Sequence, residues 1–410
     1  MQRSIVSGRP DESKRWPLHA FAPLVPALVL IPIAVSISYT FDFGLAYQGG
    51  VEAWASGHPQ RVVTWTGTPF LAVVMGAITR AASLDVSARV FMGVNLLVWA
   101  GLLASVWNRL RPNVPSRWWW ATLIAAGVFA PVVSTIFWLS FNLMVFVLAL
   151  GGFILAGRRN RLAGLLIGLS VAMKPILALL LLALLFRRHS RSAGVWAVAV
   201  AGGLSFFGLG FLAWRAGDLQ LLNPFPYIAA FLSKGGVPTT MACVPENYSP
   251  SALLCRLGAP TSSSVTVVVA AGVLVSGWLL IRHLPDSSGP QWELFGAAGL
   301  LSPMLGPIGW SNYGVLMAPL FLLLAYQFWA EHAPPLLWIS LAVSFLLAEL
   351  VWDPLESLAQ TPVPVVLFTY ALGQFAQYFL LLTWIRWRLL RHNRPDRAVL
   401  VTSGGTRSEP

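Results

Sequence analysis

Residues 158–191 read RRNRLAGLLIGLSVAMKPILALLLLALLFRRHSR. The apolar segment 162–186 runs between two arginine clusters, Arg158/Arg159/Arg161 and Arg187/Arg188/Arg191. Arginine beside an apolar segment marks the cytosolic side of a membrane. A single crossing would put the two clusters on opposite sides. The step Met173-Lys174-Pro175 resolves the conflict, because proline has no N–H and clashes with the preceding turn. The sequence therefore predicts two short half-helices meeting near Lys174. Broken helices at membrane depth line cavities.

The rest of the chain agrees with a membrane setting. Hydrophobic residues make up 57% and charged residues 10%, with a mean hydropathy of +0.70. A soluble domain carries about 25% charge. The expected class is an all-α polytopic membrane protein with no separate soluble domain. The net charge of +12 is mostly arginine beside the spans. That pattern sets orientation and anionic-lipid contact, and argues against nucleic acid as a partner. Residues 22–40 are apolar, but no small-residue cleavage site follows them cleanly, so they read as a first span and not a removed signal.

Five basic groups, Arg3 to Arg15, Arg109 to Arg117, the two clusters above and Arg386 to Arg397, are expected in the cytosol. Residues 16–108 hold three apolar stretches, 22–40, 68–84 and 87–107, and three crossings would be odd. The weakest, 68–84, is therefore read with 46–56 as helices in the outer interface. Residues 118–137 and 141–157 make a pair. Then 193–213 goes out and 264–282 returns, followed by the pairs 292–304 with 312–329 and 335–351 with 363–385. The expectation is about 12 spans with both termini cytosolic. Residues 1–21 form a tail, 22–386 the transmembrane domain with outer loops 41–86 and 214–262, and 387–410 a basic tail.

This topology gathers the unusual polar residues on the outer face. Only 15 of 410 residues are Asp or Glu, and Asp42 stands at the mouth of span one. It either ends that span in the interface or works as a carboxylate. Lys174 is one of three lysines; it either snorkels from a helix end or serves a site. Glu52 and His58 read as solvated loop residues or substrate contacts, and Arg61 as a surface charge or a phosphate ligand. Ser140 and Asn142 either cap a helix or touch substrate. Trp310, Asn312 and Tyr313 are an aromatic belt or a sugar contact. Cys243 and Cys255, the only cysteines, are candidates for a disulfide worth about 3 kcal/mol. No metal-ligand spacing, phosphate-binding glycine loop or serine-hydrolase elbow occurs, so neither a metal nor a cofactor is called for. A site on the outer face lacks nucleotide sugars, and a donor delivered by the membrane on a lipid phosphate fits it.

These residues fall in an order that resembles glycosyltransferase family 87 of the GT-C superfamily. The first element is Asp42-Phe43, then Tyr47, Gly49-Gly50, Ala53-Trp54, Gly57 and Pro59. The others are Thr68-Pro69-Phe70-Leu71, Arg158 to Lys174-Pro175, Asn247-x-Ser249, and Ser302-Pro303 through Gly309-Trp310. The chain departs from the family at Ser140-Phe141-Asn142, at Asn312 and at Gly67-Thr68. The resemblance implies a GT-C fold with juxtamembrane helices in the first outer loop. It implies inverting transfer of a sugar, usually mannose, from a polyprenyl phosphate to a glycolipid or lipoglycan, on the extracytosolic face of the inner membrane. Asp42 matches the family's acidic residue and Lys174 a basic position that receives the lipid phosphate; Arg61 is a further candidate for that phosphate. Tyr47, Glu52, His58, Ser140, Asn142, Asn247, Trp310, Asn312 and Tyr313 become expected substrate contacts. Two alternatives stay open: an arabinofuranosyl transferase building a polysaccharide, and a transporter for a lipid-linked sugar.

Overall fold

The computed structural model describes residues 41–62, 67–110, 129–225 and 318–349 continuously, with Trp65, Cys255 and scattered positions in 268–315 and 376–387. Every element of regular structure among the described residues is a helix. In chain order these are α1 (Phe41–Ser56), α2 (Pro69–Ala81), α3 (Leu84–Leu110), α4 (Ala130–Phe137), α5 (Asn142–Leu155), α6 (Asn160–Met173), α7 (Ala178–Leu185), α8 (Arg191–Ala216), α9 (Ala318–Ala330) and α10 (Pro335–Glu349). Two of them, α8 and the Leu84–Leu102 part of α3, are long and apolar enough to cross a membrane. The predicted first span, the N-terminal tail and residues 388–410 lie outside the described residues, as does most of the loop 214–262.

The break at Lys174 forms as the sequence predicts. α6 ends at Met173, Lys174 is extended with φ −151° and ψ 116°, and Pro175–Leu177 makes a 3-10 turn into α7. A residue before proline is pushed out of the helical region by the proline ring. At about 21 Å, α6 is too short to cross a hydrocarbon core of about 30 Å.

Small residues fix how the two arms lie. Gly164 faces Ala193, Trp196 and Ala197 of α8, and Gly168 faces Ala197 and Val200. A Cβ on Gly168 would lie 2.6 Å from Val200 Cβ. Apolar helices approach this closely only where side chains are small. Gly194, in the same first turns of α8, backs onto Leu184 and Leu185 at the end of α7. The start of α6 and the end of α7 thus meet one end of α8. The chain between them is a helical hairpin, and its two arginine clusters share an end of the molecule. Arg161 stacks over the Trp196 ring there, 5.7 Å from its centre.

The opposite end is assembled around the hairpin tip. α5 runs antiparallel to α6: Gly152 faces Ala163 and Ile167, and the Ser170 hydroxyl donates to the Val145 carbonyl at 2.8 Å. This brings Asn142, the first residue of α5, beside Lys174. Helices α1 and α2 pack as a pair through Gly50 against Met75 and Gly76, and the Trp54 indole N–H donates to the Val73 carbonyl at 3.3 Å. The pair seats on the far end of α8, where Gly208 meets Pro69 and Phe70 and Gly57, at φ +75°, meets Leu212 and Ala216. The segments 46–56 and 68–84 are helical as expected, although α1 begins five residues earlier.

Thr68 locks α2 to the hairpin tip. Its oxygen accepts the Leu71 N–H at 3.1 Å as the cap of α2, and its hydroxyl donates to the Ala172 carbonyl, with the Met173 carbonyl 3.3 Å away. These carbonyls are freed by the break, because the helix does not continue beyond Met173. Thr68→Val keeps the shape and removes both roles. The expected loss is about 2 kcal/mol of stability, read as a lower melting temperature of the purified protein.

Candidate active site

Lys174 Nζ donates to Asn142 Oδ1 at 2.7 Å. The Asp42 carboxylate lies near enough to Lys174 to act on it electrostatically. Three residues from separate parts of the chain, 42, 142 and 174, therefore share one end of the molecule. It is the end away from the arginine clusters. Asn142 is fully buried, while Asp42 and Lys174 are half-buried.

Each side chain is held by local structure. Asp42 stands in the first turn of α1, where the helix dipole favours a carboxylate. Its backbone N–H donates to the Trp138 carbonyl at 3.2 Å, and Phe41 packs edge-on against the Trp138 ring. Phe43 stacks on Phe91 of α3 and on Phe141, with Phe91 and Phe141 themselves 4.5 Å apart. Since Phe43 follows Asp42 and Phe141 precedes Asn142, this aromatic trio fixes both polar neighbours. Leu139, at a left-handed φ of 51°, turns the chain between α4 and α5. Such a conformation in a residue with a Cβ costs about 1–2 kcal/mol and belongs where the surroundings impose it.

Asn142 does not cap α5. Phe141 occupies the cap position, with no side-chain cap bond, and the Asn142 carboxamide oxygen is spent on Lys174. Ser140 does not cap either; its hydroxyl is buried without a hydrogen-bond partner among the described residues. The indole N–H of Trp65, in the link between α1 and α2, is in the same condition. Its ring is wedged against Gly49 and Gly67. Buried polar groups of this kind gain when a ligand hydroxyl or a water meets them.

Other expected contacts fall elsewhere. Tyr47 donates its hydroxyl to the Ala82 carbonyl at 2.9 Å, tying α1 to the α2–α3 turn. Glu52 accepts from the Ser56 hydroxyl at 3.3 Å, and His58 pairs with Gln60 at 3.1 Å. Arg61 is exposed, in the 3-10 turn Pro59–Arg61 that follows α1. The helix from Asp42 to Ser56 is about 21 Å long, so Glu52, His58 and Arg61 gather toward its other end. Asn247, Trp310, Asn312, Tyr313 and Cys243 lie outside the described residues. Cys255 is disulfide-bonded.

A family model for glycosyltransferase family 87 matches residues 65–307, more than half of the chain. The chain belongs to glycosyltransferase family 87. Comparison with curated proteins returns no match, and neither does comparison with solved structures. As a member of family 87 the protein is a membrane glycosyltransferase, so a sugar donor and an acceptor meet in it. The matched segment contains Trp65, Thr68, Ser140, Asn142 and Lys174. Asp42 precedes the matched segment by 23 residues and reaches the family 87 core through α1.

Proposed function

We propose that this family 87 enzyme transfers mannose from a polyprenyl-phosphate donor to a glycolipid or lipoglycan, with inversion, at the extracytosolic membrane face. The observation that carries the reading is a carboxylate and an ammonium group at one end of an apolar helical body, on the end away from the arginine clusters. In the proposed step the acceptor hydroxyl oxygen attacks the anomeric carbon. The bond from that carbon to the phosphate oxygen breaks, and its electron pair leaves on the phosphate. Asp42 takes the proton of the attacking hydroxyl. Lys174, oriented by Asn142, meets the negative charge growing on the departing phosphate. The Ser140 hydroxyl, two residues before Asn142 and buried without a hydrogen-bond partner among the described residues, is a candidate to meet a sugar hydroxyl.

The lipid-linked donor is favoured by the setting. Lys174 sits at the tip of a hairpin too short to cross the bilayer, where a substrate anchored in the membrane can reach it. The purified enzyme, offered polyprenyl-phosphate mannose and polyprenyl-phosphate arabinose separately, is expected to form a glycosidic bond with the first. Turnover only with the arabinose donor would reassign the sugar. Movement of labelled lipid across a liposome without any new glycosidic bond would overturn the enzymatic reading in favour of transport.

A further inference from the structure

A tryptophan on α1 is gripped by two arginines from other helices. The Arg80 guanidinium carbon lies 5.2 Å from the centre of the Trp54 ring, and Arg215 Nη2 donates to the Trp54 carbonyl. Arg80 is in the last turn of α2 and Arg215 in the last turn of α8. Both side chains are exposed, and neither pairs with a carboxylate among the described residues. The acidic groups nearby in sequence are engaged elsewhere. Asp218 accepts the Gln220 N–H at 2.9 Å, and Glu52 accepts from Ser56.

The level of this pair in the membrane follows from α8. Its 26 residues extend about 39 Å, against a hydrocarbon core of about 30 Å. Arg191 and Arg215, at its two ends, therefore reach the two headgroup layers. Trp214 is 71% exposed beside Arg215, and Phe206 and Phe207, two turns back toward the bilayer centre, are exposed as well. The order from the surface inward is guanidinium, indole and apolar ring. A phospholipid has the matching order of phosphate, glycerol backbone and acyl chain. Two cations with no carboxylate paired to either among the described residues favour a headgroup of net negative charge over a zwitterionic one.

We propose that Arg80 and Arg215, held on Trp54, bind the phosphate of an anionic phospholipid whose chains lie along Phe206, Phe207 and Trp214. The site is separate from the Asp42 and Lys174 centre, because Trp54 is about 18 Å along α1 from Asp42. The bound lipid ties α1, α2 and α8 together at the membrane surface. The proposal needs α8 to lie in a bilayer and does not depend on the sugar or the donor.

The test is native mass spectrometry of the full-length protein in detergent, titrated with phosphatidylglycerol or with phosphatidylcholine of the same chains. Wild type is expected to retain phosphatidylglycerol in preference to phosphatidylcholine. Arg80→Gln is expected to weaken phosphatidylglycerol roughly fivefold, the effect of one arginine at an anionic headgroup layer. That variant leaves the Arg215 bond to Trp54 in place, so it carries the test if Arg215→Gln unfolds. Arg89→Gln, which removes an exposed arginine paired with Asp85 at 3.1 Å, is expected to change nothing. Equal retention of the two lipids by wild type, or wild-type retention by Arg80→Gln, would overturn the proposal. So would full displacement of phosphatidylglycerol by inorganic phosphate, which would make this a site for free anions.

Discussion

Asp42→Asn is expected to lower kcat for sugar transfer by about a thousandfold, with KM for the lipid donor nearly unchanged. The amide keeps the size and the place at the start of α1 but cannot take a proton. Donor binding survives because Lys174 and Asn142 are untouched. The substitution leaves the Asp42 backbone bond to Trp138 and the aromatic trio intact, so the melting temperature is expected to stay within about 3 °C. Single-turnover kinetics on purified protein check both parts. Turnover equal to wild type would remove Asp42 from the role of base.

Lys174→Met is expected to lower kcat/KM by a factor of about a hundred to a thousand, the usual cost of losing one group that stabilises developing charge. Here the loss divides differently. An ammonium that meets the phosphate contributes both when the donor binds and when it departs, so KM rises as kcat falls. Stability separates this from a purely structural lysine. Lys174 costs desolvation energy at the hairpin tip, and a methionine of similar length does not. The variant should unfold at the same temperature as wild type or higher. A large fall in melting temperature with turnover preserved would mean that Lys174 serves the fold alone.

Much of the hairpin was legible because it depends on single residues with strong local effects. Pro175 cannot continue a helix, and arginines at both ends forbid a simple crossing. Both facts stand in one line of sequence, and the structure has α6, the break and α7 where they predict. The partnership of Asn142 with Lys174 was not legible. It depends on α5 running antiparallel to α6, which Gly152 and Ser170 fix through contacts across some twenty residues. Thr68 read as part of a family motif and as a departure within it, although a threonine before proline is also a helix-start signal. Its second role, holding the carbonyls of the break, needs tertiary contact to be seen. Glu52, His58 and Arg61 follow Asp42 by ten to nineteen positions in sequence. A helix converts those ten to nineteen positions into distance, and α1 carries them away from the carboxylate. Trp65 was missed because one tryptophan among 19 gives no signal of its own.

The proposed mechanism requires Asp42 and Lys174 to flank one reaction centre. The measurement that meets it directly is a structure of the Asp42→Asn enzyme with intact polyprenyl-phosphate mannose. The donor phosphate is expected within about 3 Å of Lys174 Nζ, the distance of a charge-assisted hydrogen bond. The anomeric carbon is expected to face residue 42. A donor phosphate seated on Arg80 and Arg215, with Lys174 still bonded to Asn142 and nothing beside it, would remove Lys174 and Asp42 from the reaction centre.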